Sequence, residues 1–182
     1  MVTWRYDRRT VRPAHPFRFF SEFDPIHVQY APRACTDMEL AAHLNEQTML
    51  LRDAHERVMA GDHQRTIMIC DCAHDMPSAP AQRAMQADWL AENEAMLLQV
   101  CQATFVVVHG TMLRATITAV MWLARPAHRI RAVPNLDVAV ERALALAKQE
   151  GLQVPGVLAE RQADAVRDLY AAHGIDVQRR SA

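Results

Sequence analysis

Two short apolar runs, Thr66-Ile67-Met68-Ile69-Cys70 and Phe105-Val106-Val107-Val108, restrict what this chain can fold into more than any other feature. Neither alternates apolar with polar residues, so each reads as a strand covered on both faces. Strands of that kind need helices on two sides of a sheet, and the sequence supplies helices in alternation with them. Thr36-Asp37-Met38-Glu39 has the form of a capping box. Leu40, Leu44, Leu51, His55 and Val58 follow at spacings that line one helical face, up to a stop at Gly61. After the first buried run, Ser78 or Ala79 can cap a second helix with Pro80 in its first turn, and Met85, Trp89, Met96 and Val100 fall on its inward side. A third helix opens after Gly110 and runs to about Ala124. Arg129 to Val133 then reads as a shorter strand, and Asn135 caps a helix that Gly151 ends.

Upstream, Phe17 to Ser21 and Ile26 to Tyr30 are two β-prone runs separated by Phe23-Asp24-Pro25, where proline suits a turn, so they read as a hairpin. Repeated strand-helix alternation demands right-handed crossovers and a mainly parallel sheet. The expected fold is therefore α/β, with an N-terminal β-hairpin, a mainly parallel sheet with alternating helices, and an extra C-terminal helix. That last helix draws on Leu158, Val166, Leu169, Tyr170 and His173, with Gly174 as its stop. Three parts are expected: a basic extended arm over 1–16 with Trp4 and Tyr6, a domain over 17–151, and a helical appendage over 152–182. The appendage can pack on its own domain or on a second copy.

At 182 residues, 51% hydrophobic and 23% charged, the chain is large enough to bury a core without disulfides or metal. Twenty basic residues against twenty-one acidic ones leave a formal charge of −1, so no overall field favours nucleic acid or anionic lipid. The four cysteines, Cys35, Cys70, Cys72 and Cys101, lack the spacings of a secreted disulfide framework, and no charged-then-apolar leader opens the chain. A reducing cytoplasm is the expected location. The longest apolar stretches fall well short of the roughly 20 residues that a membrane span needs.

The order of elements resembles the STAS fold of the anti-sigma-factor antagonists. Two local patterns resemble a bacterial STAS-like branch whose fold is also compared with the CRAL-TRIO lipid carriers. One is Asp71, then Pro77-Ser78-Ala79, Gln82-Arg83 and Trp89-Leu90-Ala91-Glu92-Asn93; the other is Phe105-Val106-Val107, Leu113-Arg114-Ala115, Thr118-Ala119-Val120 and Trp122-Leu123. The likeness spans about residues 17 to 150. It implies a fold more than a function, since most members of that branch are uncharacterised. Anti-sigma-factor antagonists carry a phosphorylatable serine in an Asp-Ser-Ser/Thr-Gly type of turn, whereas this chain reads Asp71-Cys72-Ala73-His74-Asp75-Met76-Pro77-Ser78. Ser78 stands near the equivalent place without the motif, so the resemblance does not bring a kinase-driven switch with it.

Candidate site residues gather where loops leave the carboxyl ends of the strands, an edge where a crevice can open at a reversal of strand order. They are Asp71, His74, Asp75 and Ser78 after one strand, His109, Gly110 and Thr111 after the next, and Asn135 after the last. The bland alternative is that Ser78 and Asn135 only cap helices and the aspartates are loop carboxylates. Cys70, Cys72, His74 and Asp75 invite a zinc reading, but Cys70 sits inside an apolar run, where a small buried thiol is the usual outcome. No metal or other cofactor is expected. A cysteine nucleophile beside His74 or His109 lacks a recognisable orienting group or oxyanion loop. Gly110, Thr111 and Arg114 at a helix start could hold a phosphate or carboxylate, or Arg114 could simply pair with Asp71 or Asp75. The helix from Met112 to Ala124 is apolar on most sides, with Thr111, Arg114, Thr118 and Arg125 in one narrow stripe and Trp122 near it. Such a helix is either covered on two sides or meets something else. The expected function is a non-catalytic regulatory or scaffolding module that binds a protein partner or its own copy as a homodimer. A carrier or sensor of a small apolar or anionic ligand is the alternative, and an enzyme comes third.

Overall fold

The computed structural model describes residues 16–31, 34–61, 64–72, 79–108, 111–124 and 129–175. The hairpin forms as the turn residues suggest: β1 (Arg18–Phe20) runs antiparallel to β2 (Ile26–Tyr30), with Phe19 opposite Gln29. The Asp24-Pro25 peptide in its turn is cis. β3 (Thr66–Cys72), β4 (Cys101–Val108) and β5 (Ile130–Val133) extend the sheet in parallel, giving five strands in the order β1-β2-β3-β4-β5. The fold is α/β, as the alternation requires. Strand order does not reverse among the described strands, so the crevice expected at a reversal has no counterpart there. Each crossover advances the sheet by one strand in the same direction, and right-handed connections then put every crossover helix on the same face.

Those crossover helices are α1 (Asp37–Met59), α2 (Pro80–Val100) and α3 (Thr111–Ala124), with α1 packed on α2 and α2 on α3. The start of α1 is fixed by the capping box. Glu39 N–H donates to Thr36 Oγ1 at 3.2 Å, and Thr36 N–H donates back to Glu39 Oε2 at 2.7 Å. Its end comes at Gly61, whose φ of +76° suits a residue with no Cβ. Within the pair, Trp89 Nε1–H donates to Thr48 Oγ1 at 2.9 Å and ties α2 to α1 through a polar contact.

The other face of the sheet is the drier one. Ile26, Val28, Ile67, Ile69, Ala103, Phe105, Val107 and Val133 form it, none more than 2% exposed. α4 (Leu136–Gln149) lies on it through Ala139, Val140, Ala143 and Ala147, all fully buried and spaced for one helical stripe. Three of these four are alanines, so the helix can approach the strands closely. The cap of α4 is Asn135, whose Oδ1 accepts from Val138 N–H at 2.9 Å.

The segment after residue 152 joins this same core. Leu158, Ala163, Ala165, Val166 and Tyr170 are at most 4% exposed and cluster with the strand residues above. The single tail helix expected from periodicity is two: α5 (Gly156–Arg161) and α6 (Ala163–Ala172), broken at Gln162 with φ of +50°. The break re-aims the chain so that both Leu158 and the α6 stripe reach the sheet. Fully burying side chains of this size stabilises by roughly 1.5–3 kcal/mol each. Among the described residues, no helix is long and apolar enough to cross a membrane.

Candidate functional site

Asp71 is the expected site residue whose surroundings are best defined. It is the sixth residue of β3, and the alternation along that strand turns its side chain to the α6 face, beside Ile67 and Ile69 in register. There it is 2% exposed and its Oδ2 accepts from the Tyr170 hydroxyl at 3.1 Å. Its backbone oxygen accepts from Ala31 N–H at 2.9 Å, closing the ladder above β2. The Tyr170 ring meets Tyr30 edge-on at 5.6 Å and Phe20 at 5.8 Å. Burial, and then the Asp71 carboxylate, push the Tyr170 phenol well above its ordinary 10.0. Asp71 is thus an anchor for α6 in the core rather than a loop carboxylate.

The opposite face of β3 carries Met68, Cys70 and Cys72, all half-buried although they occupy the central strand beneath α1–α3. Cys70 Sγ lies 3.9 Å from Gln29 Oε1. Burial pushes the Cys70 thiol well above 9.0, with Cys72, Cys101 and Asp71 adding to it, and pushes Cys72 up to about 12 with Asp71 adding. Both thiols therefore hold their protons more firmly than an ordinary cysteine, which does not suit a nucleophile. Among the described residues, no three His, Cys, Asp or Glu side chains are grouped to hold a metal ion.

Beside this floor stands His43, a residue that the sequence pattern passed over. It is 4% exposed, stacks on Phe17 at 3.9 Å with 4° between the rings, and accepts from Gln29 Nε2 at 2.8 Å through its Nε2. Its place one turn after Leu40 was the available signal.

On α3, Ile117 packs with Ile130 against Val106 and Val108, and Val120 is 8% exposed. The outward side shows Ala115, Thr118 and Trp122, with Trp122 74% exposed. Thr118 and Trp122 are four residues apart and share one helical face. On β5, Ile130 turns to the α3 side, and Ala132, two residues on and on the same side, is exposed.

His74, Asp75, Ser78, His109 and Gly110 lie outside the described residues. So do the side chains of Thr111 and Arg114, whose backbone forms the first turn of α3. Asn135 is a helix cap. Asp71 and the Thr118-Trp122 pair stand on opposite sides of the sheet, so the structure does not bring them into one site. No known family profile, no curated protein and no solved structure matches the chain.

Proposed function

We propose that this chain is a non-catalytic, STAS-like regulatory or scaffolding module of the cytoplasm that binds another protein chain through the outward face of α3. The observation that carries the reading is Trp122, 74% exposed and on the same helical face as Thr118. Tryptophan is enriched at the centres of protein interfaces, where a rigid aromatic ring anchors the contact. The raised thiols of Cys70 and Cys72 and the core position of Asp71 speak against a nucleophilic or acid-base role for these groups.

Photo-crosslinking in cells of the native host tests it. With p-benzoylphenylalanine in place of Thr118, irradiation should give a discrete protein adduct that the same replacement of exposed Glu160 does not. Absence of an adduct from position 118 overturns the reading.

A second reading, a carrier of a small apolar ligand, draws on the partial accessibility of Met68, Cys70 and Cys72 in mid-sheet. Native mass spectrometry of the purified chain should then show a retained small molecule above the 20.6 kDa of the protein. The bare mass alone sinks that reading.

A further inference from the structure

Resting on the carrier reading, we infer that a small uncharged molecule binds between α1 and the sheet. Its apolar body lies along Met68, Cys70 and Cys72, and its carbonyl or hydroxyl oxygen accepts a hydrogen bond from Gln47. The two faces of β3 are covered to different depths. Ile67 and Ile69, turned to α4 and α6, are fully buried, whereas Met68, Cys70 and Cys72 keep accessible surface at three successive positions on the helical side. Their neighbours on that side are half-buried too, with Gln29 beside Cys70 on β2 and Thr104 beside Met68 on β4. Close-packed interiors leave few gaps larger than a water molecule, so accessible side chains along a central strand under helices mark a crevice. It closes toward the far end of β4, where Val106 and Val108 are at most 9% exposed.

The wall over this crevice is α1. Leu40, His43 and Leu51 are its buried residues, and Gln47, one turn after His43 and one before Leu51, falls on the same stripe. As the crossover from the end of β2 to the start of β3, α1 runs against the strands. His43 meets Gln29, the register partner of Cys70, so Gln47, one turn on, stands at the level of Met68. Gln47 Nε2 is buried and has no hydrogen-bond partner among the described residues. A buried amide N–H is costly to leave without an acceptor, and an oxygen on a bound molecule supplies one. That oxygen is neutral. Burial pushes the Cys70 thiol well above its ordinary 9.0, so the floor disfavours negative charge, and a carboxylate would meet the same penalty. The thioether and thiols of the floor are soft and polarizable, which suits an apolar body.

NMR of isotope-labelled methionine methyl groups tests the inference, with the Met68 signal assigned through Met68→Leu. Acetophenone, ethylbenzene and benzoate are probes of nearly one shape that differ in oxygen and charge. Acetophenone should shift the Met68 signal saturably, ethylbenzene should bind roughly ten-fold more weakly, and benzoate should not bind. Gln47→Leu should bring acetophenone down to the level of ethylbenzene and leave ethylbenzene unchanged. Equal affinity of the wild type for acetophenone and ethylbenzene overturns the inference, as does benzoate binding as tightly as acetophenone. So does the absence of any Met68 response to acetophenone, which would mean that water alone serves Gln47. These comparisons use the wild type, so they decide even if Gln47→Leu folds poorly. A small molecule retained in native mass spectrometry without a Met68 response keeps the carrier reading and removes this site. A Met68 response beside a bare chain mass keeps the site and removes the carrier role.

Discussion

Tyr170 donates its hydroxyl to Asp71 Oδ2 inside the core, and both residues are at most 2% exposed. Tyr170→Phe keeps the ring contacts with Phe20 and Tyr30 and removes the donor alone. It should cost about 1.5–3 kcal/mol, the range for a hydrogen bond to a charged buried group, read from urea unfolding at neutral pH. Its pH dependence has a definite sign. The phenol of Tyr170 and the thiols of Cys70 and Cys72 are raised in the folded chain, so folding favours their neutral forms. That contribution is complete below the unfolded values and is lost as pH rises through the folded ones. Stability should therefore fall from about pH 9 upward, by at most about 1.4 kcal/mol per pH unit for each group. The loss is smaller for Cys70 and Cys72, part of whose surface stays accessible. In Tyr170→Phe the decline above about pH 10 should be shallower; an equal slope would show that Tyr170 does not contribute to it. Sequence reading singled out Asp71 but put it at a loop edge, because the apolar run ends at Cys70 and the strand does not. Its partner lies 99 residues away, beyond the reach of any local pattern. His43 escaped for a different reason: a polar residue on an inward stripe reads as a gap in periodicity until its stacking and bonding partners are known.

Elements with local punctuation were legible. The capping box at Thr36, the cap at Asn135 and the stops at Gly61 and Gly151 act within one turn, so a short window of sequence contains their cause. Asn135→Ala should cost about 1 kcal/mol through the lost bond to Val138 N–H, measured by thermal or chemical denaturation. An unchanged midpoint would mean that the first turn of α4 is held by its packing, with Leu136 and Ala139 already buried. The tail was less legible. Leu158 and Val166 share a helical spacing that suggests one continuous helix, yet only a break at Gln162 lets both sides of it settle on a twisted sheet, and that requirement comes from the surface beneath.

For the molecule as a whole, alternation dictated a mainly parallel sheet but was silent on strand order, which depends on where each strand docks. The order turned out sequential, which disperses the expected site: Asp71 turns toward α6, and Thr118 and Trp122 look outward from the far side of the sheet. The same order has a consequence for how the chain is made. The crossover helices cover their face as each strand is completed. Among the described elements, those that cover the other face, with Ile67, Ile69, Phe105 and Val107, are α4, α5 and α6, the last to be synthesised. A ribosome needs roughly 2–8 s to translate the stretch from Pro134 to Tyr170. For that interval the nascent sheet presents its most oil-like surface to the cell, and a chaperone that recognises exposed aliphatic side chains has its best opportunity to bind just before the last two helices emerge.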